Sequence, residues 1–451
     1  MSEASLLLYF QKTYTVHALQ SRAIARTRRR PRSLARGRSG DDGGAVASYR
    51  VGRPVPDERP DAVRQSSLRS LNLATVIQRV FGASAPLSRA DVAADTGLTR
   101  STVSRLADDL IAGGLISESE PQTDGQRGRP AVPLVPAGLT WFALGLEINV
   151  GRLSARVIDL TGQTLASEVA DVDLRDSQAE PVIAQLGEMA RRVLSSADVG
   201  TTLAGVQVAL PGLVDVDAGV LLRAPNLGWW DVRPREALAA ALDLDPALIG
   251  VGNEADFAAE TIAWDAPGRP SDIGEFLYVS GEVGIGSALV TSGKAMAGGH
   301  GWAGEIGHVC VDRHGPVCAC GARGCLEAYV GQAALSATAG TRDTDELIER
   351  LAAGDARALE AVTEAAETLG VVLAGALNLL DVARVVLGGH LGRLAAHLIP
   401  GIETELQRRV VGAPFEALSV TSVPDDRDMP SLGAAYVALH RVLDDPAPWL
   451  A

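Results

Sequence analysis

Gly304-Glu305-Ile306-Gly307-His308 is followed, ten residues after His308, by Cys318-Ala319-Cys320-Gly321-Ala322-Arg323-Gly324-Cys325-Leu326-Glu327. Three thiols and one imidazole make a complete tetrahedral set for zinc, and a complete set leaves no open position for an activated water. The expectation is therefore a structural ion, one Zn(2+) per chain, on His308, Cys318, Cys320 and Cys325. Gly321 and Gly324 let the chain curl tightly enough to present Cys320 and Cys325 to one ion. A disulfide framework does not fit, because three cysteines within eight residues leave one unpaired in any arrangement. The fourth cysteine, Cys310, reads as an ordinary buried thiol.

The surrounding chain has 451 residues, of which 47% are hydrophobic and 21% charged, with a net charge of −14. This is a globular composition with room for two to four domains at roughly 100–200 residues each, and it excludes global disorder and collagen-like structure. The longest apolar stretch, Leu369 to Leu380, is twelve residues, too short to span a bilayer. Leu6–Phe10 has no basic residue before it and does not read as a signal peptide, so a cytoplasmic protein is expected. Charge is unevenly spread. Residues 1–60 carry Lys12 and eleven arginines against five acids, residues 61–135 carry eight arginines against eight acids, and the remainder holds −21. The aperiodic arginine run from Arg22 to Arg38 makes 1–60 a basic, disordered tail, either solvated or attracted non-specifically to phosphates.

Residues 61–137 read as an α+β winged helix-turn-helix domain. Leu73, Val76, Ile77 and Val80 fall at i, i+3, i+4 and i+7, one buried helical face. Ser88-Arg89-Ala90-Asp91 predicts a capping box opening a second helix, and Gly97 supplies the turn. With Thr99 as N-cap, a third helix buries Val103, Leu106 and Leu110, which sets Arg100, Ser101, Thr102, Ser104 and Arg105 as candidate DNA contacts in a major groove. Strands at 115–119 and 131–135 then flank a wing whose tip carries Arg127 and Arg129, suited to a narrow minor groove. A single domain with no net charge neutralises few phosphates, so a homodimer or higher homo-oligomer on an inverted-repeat operator is expected.

The stretch 304–327 resembles the signature of the ROK family (repressors, open reading frames and sugar kinases), and the preceding winged helix is similar to that of the family's regulator branch. The resemblance implies that 138–451 is an α/β body with the two-lobed, actin-like ATPase (sugar-kinase-like) fold, binding a sugar between its lobes. Strands at 142–149, 154–160, 164–172 and 203–210 and a helix at about 180–194 agree with it. By the same resemblance, sugar hydroxyls fall to Asn226, Asn253, Glu254, Glu305, His308 and Glu327. Carboxylates and amides suit this task, since they bridge hydroxyls and are left as costly orphans by the wrong epimer. His308 could serve metal and sugar through its two ring nitrogens.

The kinase parts of the resemblance fail. Glu254 stands where the family's kinases place an Asp general base, one methylene out of position. The first phosphate loop reads Glu147-Ile148-Asn149-Val150-Gly151-Arg152, without its glycine pair and threonine. The second reads Gly281-Glu282-Val283-Gly284-Ile285-Gly286, with a carboxylate beside the space a triphosphate would fill. The expected function is a sugar-responsive DNA-binding transcriptional regulator, a repressor of carbohydrate-utilisation genes, with no enzymatic activity. Two alternatives stay open: an active sugar kinase carrying a DNA-binding module, and a regulator that docks on another protein such as a sugar transporter component.

Overall fold

In the computed structural model of the protein, which describes residues 65–120, 132–197, 202–423 and 429–450, the first helix is Gln65–Phe81. Its Leu73, Val76, Ile77 and Val80 are buried together, as their spacing predicts. Ser88 caps the helix Arg89–Thr96: Ser88 Oγ accepts from Asp91 N (3.3 Å) and Ser88 N donates to Asp91 Oδ2 (2.9 Å). Gly97 ends it in the left-handed region, φ 72°. Thr99 then caps Arg100–Ala112, accepting from Thr102 N at 3.2 Å. The wing strands are Ile116–Glu118 and Pro133–Pro136, antiparallel. A two-residue strand, Leu87–Ser88, pairs with the other edge of Pro133–Pro136 and had no sequence signal. The basic segment 1–60 and the wing tip with Arg127 and Arg129 lie outside the described residues.

The body has two lobes. The first holds a mixed five-stranded sheet in the spatial order Ile249–Asn253, Thr202–Leu210, Trp141–Asn149, Arg152–Asp159, Thr164–Asp171. The strands expected from the sequence lie within two residues of these. Trp141–Asn149 is buried along its whole length, and helix Ala179–Ser196 packs Val182, Ile183, Leu186, Met189 and Val193 into the same core. The second lobe repeats a five-stranded plan in the order Lys294–Ala295, Ile285–Thr291, Phe276–Gly281, Arg384–Gly388, Ser419–Ser422. Helices Ala356–Leu380 and Ala395–Arg409 complete its core. The apolar stretch at 369–380 is the end of that 25-residue helix, which by length and composition alone is long enough to cross a membrane; half of its apolar window is buried inside the protein.

The C-terminal helix Met429–Asp444 returns to the first lobe and lies against backbone on two sides. A β-carbon on Gly145 would sit 1.8 Å from Ser431 O, and one on Gly433 would sit 1.7 Å from Phe257 O. Strand Trp141–Asn149 and helix Glu254–Ala263 therefore touch this helix with no side-chain layer between them. At its far end Tyr436, Leu439, Val442 and Leu443 join Ile77, Val80, Phe81, Val103 and Leu106 of the winged helix in one hydrophobic core. Trp141 Nε1 donates to Gly113 O (2.8 Å) and Thr140 Oγ1 to Gly114 O (2.6 Å) across the same junction.

Gly433→Ala is expected to destabilise the protein by about 1–3 kcal/mol through overpacking. Gly375→Ala, a helical site where a β-carbon meets nothing within 4 Å, should melt at or slightly above the wild-type temperature. Equal melting of the Gly433→Ala and wild-type proteins would contradict the close packing of the C-terminal helix.

Candidate functional site

His308, Cys318, Cys320 and Cys325 bring one donor atom each within 4.8 Å of the others. Cys320 Sγ lies 3.7 Å from Cys325 Sγ, and Cys318 Sγ 3.8 Å from His308 Nδ1. A tetrahedral ion with bonds of about 2.3 Å to sulfur has S···S edges of roughly 3.8 Å, so the four donors fit a metal ion. Gly321 (φ 92°) and Gly324 (φ 69°) make the curl, and a β-carbon at Gly324 would strike Asp312 O at 1.6 Å. Burial pushes the Cys318 thiol up to about 12 and the Cys325 thiol upward as well. A bound cation is the charge that would favour thiolates in such surroundings. Cys310 is not the buried thiol its composition suggested. It is exposed, on a short antiparallel bridge to the buried Cys325, with Sγ 3.7 Å from Arg323 O.

The six residues assigned to a sugar, Asn226, Asn253, Glu254, Glu305, His308 and Glu327, all line one pocket between the lobes. His308 turns Nδ1 to the cysteine cluster and leaves Nε2 3.7 Å from Glu305 Oε2. Glu327 accepts from Ile285 N (3.1 Å) and approaches Cys318 Sγ (3.5 Å), which links the pocket wall to the donor cluster. Gly284 permits this approach: a β-carbon there would lie 2.3 Å from Glu327 Oε2 and 2.9 Å from Asn226 Nδ2. Asn253 is more committed than the sequence suggests. Its Oδ1 caps helix Glu254–Ala263 by accepting from Ala255 N (2.7 Å), and its Nδ2 donates to Gly212 O (3.0 Å), leaving one N–H for a ligand. Burial raises the Glu254 carboxyl to about 7, opposed by a hydrogen bond from Asn149 Nδ2 (2.8 Å).

The two altered phosphate loops meet at a charged chain that sequence reasoning missed. Arg152 Nε and Nη2 bond Glu147 Oε1 (3.0 and 2.9 Å), and Arg152 Nη1 lies 3.5 Å from Glu282 Oε1 on the other lobe. Glu282 is therefore not the bare carboxylate expected beside a triphosphate; its charge is paired. Burial pushes Glu147 up to about 8 against the pull of the guanidinium, and the carboxylates hold Arg152 firmly charged despite its burial. Strand alternation in a 147–154 hairpin places Glu147 and Arg152 on one face, a readable signal, but nothing local joins them to Glu282.

On the winged helix, Arg69, Arg79 and Arg89 are tied to Asp109 (2.9 Å), Asp95 (2.6 Å) and Asp108 (2.7 Å). Arg100 and Arg105 stay exposed on helix Arg100–Ala112 and have no ion-pair partner among the described residues. Ser101 is exposed, Ser104 half-buried, and Thr102 is half-buried with its hydroxyl 2.8 Å from Thr99 Oγ1 at the helix cap. Among the described residues of this domain, Asp95, Asp108, Asp109 and Glu118 pair with Arg69, Arg79 and Arg89, which leaves Arg100 and Arg105 facing outward.

A helix-turn-helix joined to a two-lobed, kinase-like ligand body defines the class. The sequence profile of the ROK family matches residues 143–441, and the chain belongs to that family. An IclR helix-turn-helix domain profile matches residues 74–120. The chain is 25% identical to the DNA-binding transcriptional repressor Mlc of Escherichia coli (strain K12) over 399 residues, covering 85% of this chain and 96% of Mlc. It is 27% identical over 395 residues to the DNA-binding transcriptional dual regulator NagC of the same strain, covering 83% and 94%. A crystal structure of a ROK family transcriptional regulator, a homolog of E. coli Mlc, superposes with a TM-score of 0.70 at 24% identity, covering 83% of this chain and 98% of that one.

Purified protein is expected to carry one tightly held metal equivalent per chain. Cys320→Ser should lose most of it and melt several degrees lower, because a removed ligand leaves the other donors clustered without their counter-charge. Unchanged metal content and melting in that variant, read by elemental analysis and calorimetry, would contradict the cluster's role.

Proposed function

We propose that this protein is a sugar-responsive, DNA-binding transcriptional regulator, acting as a repressor of carbohydrate-utilisation genes in the cytoplasm, with a body that no longer transfers phosphate. The observation that carries the reading is that the elements lining the pocket also hold the winged helix. Asn253 and Glu254 open helix Glu254–Ala263, whose following hairpin brings Gly268 against Phe81. Met429 and Pro430 line the pocket and open the C-terminal helix that shares the winged-helix core. A ligand that moves either helix changes the footing of the DNA-reading helix.

In this reading residues 61–137 are the DNA-binding module and 138–451 the ligand-binding and dimerising body. Asn226, Glu254, Glu305 and Glu327 accept or bridge sugar hydroxyls, with His308 Nε2 and the remaining Asn253 N–H beside them. The ion held by His308, Cys318, Cys320 and Cys325 is a structural zinc that fixes the wall carrying Glu305 and Glu327. Arg100 and Arg105 read base edges, Ser101, Thr102 and Ser104 support them, and Arg127 and Arg129 enter a minor groove. Two copies on an inverted repeat supply the phosphate contacts one neutral domain lacks. A kinase reading has one observation in its favour, a cleft carboxyl, Glu254, raised by burial to about 7. Against it, the Glu147–Arg152–Glu282 chain occupies the junction of the two phosphate loops.

Arg100→Ala and Arg105→Ala should each weaken operator binding by roughly 1–3 kcal/mol while changing random-DNA binding far less, measured by titrating labelled duplexes at two salt concentrations. Equal losses on both duplexes would remove these residues from base recognition. Coupled-assay release of ADP should stay at background with any hexose; sustained turnover would return the kinase reading.

A further inference from the structure

We propose that the cleft selects uncharged, unphosphorylated sugars, and that Glu282, by holding Arg152, is the residue that turns away sugar phosphates. The inference rests on the reading of the cleft as a sugar site and specifies its ligand class. Among the described residues four acids face the pocket, Glu254, Glu282, Glu305 and Glu327, and one arginine, Arg152. That arginine is already engaged on both sides. Glu147 takes two of its N–H groups from within the same lobe, and Glu282 faces a third from across the cleft. Side-chain exposures of 5% for Arg152 and 0% for Glu147 leave little room for the guanidinium to swing toward a ligand.

A phosphate needs donors and positive charge that are unspent. At this end of the pocket it would meet Glu254 and Glu282, with Asn149 already donating to Glu254. The backbone gives little relief. In the second hairpin Glu282 N donates to Gly284 O and Ile285 N to Glu327 Oε2, so two of the amides that could cradle a phosphate are bonded internally. A neutral polyol meets the opposite situation. Its hydroxyls are donors, and the carboxylate oxygens around it are acceptors that need them. A phosphate would add acceptors and negative charge to an end of the pocket already lined by carboxylates.

The chain also explains why the pocket needs no nucleotide to bring its two hairpins together. Arg152 begins a strand of the first lobe and Glu282 lies in the hairpin of the second, so their attraction spans the cleft where phosphates would otherwise bridge it.

The test uses full-length protein and calorimetric or thermal-shift titration with xylose, glucose and N-acetylglucosamine, and with glucose 6-phosphate and N-acetylglucosamine 6-phosphate. At least one neutral sugar is expected to bind, and its own phosphate ester, with xylose 5-phosphate added where xylose is the sugar that binds, at least tenfold more weakly. A phosphate ester binding as tightly as its parent sugar, or more tightly, would overturn the selectivity while leaving the cleft a sugar site. Binding of none of the five would overturn both this inference and the reading beneath it. Glu282→Gln, on a partly exposed hairpin, should narrow the sugar-to-phosphate ratio at least tenfold, because it removes one carboxylate from that end of the pocket and leaves the charge of Arg152 Nη1 unpaired where it faces the cleft. A folded Glu282→Gln protein with an unchanged ratio would remove Glu282 as the selecting residue, and the wild-type ratio decides the selectivity even if that variant does not fold.

Discussion

The proposed link between ligand and DNA depends on one constraint, the close packing of the C-terminal helix, whose backbone lies on Gly145 through Ser431 O and on Phe257 O through Gly433. Where two elements touch without side chains between them, neither can shift without the other, since close-packed interiors do not deform smoothly. The same helix starts at the pocket with Met429 and Pro430 and ends in a core shared with the first winged-helix helix. The winged helix is therefore not a tethered accessory. It is built onto the body by burial of Phe81, Leu443 and their neighbours and by hydrogen bonds to Gly113 and Gly114.

In the proposed reading, a sugar-kinase-like cleft serves recognition. The wall proposed to face a sugar is joined to the four-donor cluster by Glu327 and His308, so a metal on the cluster and a ligand in the pocket would act on the same segment, 305–327. At the other end of the pocket a guanidinium lies with a carboxyl group on each side, and the pair Arg152–Glu282 spans the cleft between the lobes. Breaking such a buried chain leaves an uncompensated charge, so it is retained once formed even where it adds little net stability.

What was legible in the sequence was whatever is written locally. Ser88 with Asp91, Gly97 and Thr99 announce their helices because capping is a matter of three or four neighbouring residues. The cysteine cluster reads from spacing alone, and the six pocket residues from the motifs around them. What was not legible is set by distant partners. Leu87–Ser88 is a strand only because Pro133 and Leu134 come alongside. Glu282 finds Arg152 across 130 positions of sequence. Cys310 is exposed although the residue it bridges, Cys325, is buried, which a cysteine's general preference for burial does not reveal. The role of Gly433 lies wholly in Phe257, on another helix.

The most direct test of the account is the operator affinity of the intact protein with and without saturating neutral sugar. Coupling through the C-terminal helix predicts a change of at least fivefold, about 1 kcal/mol or more, in the wild type. Identical operator affinity with and without a sugar that demonstrably binds would contradict the central claim that the pocket and the DNA-reading helix form one mechanical unit.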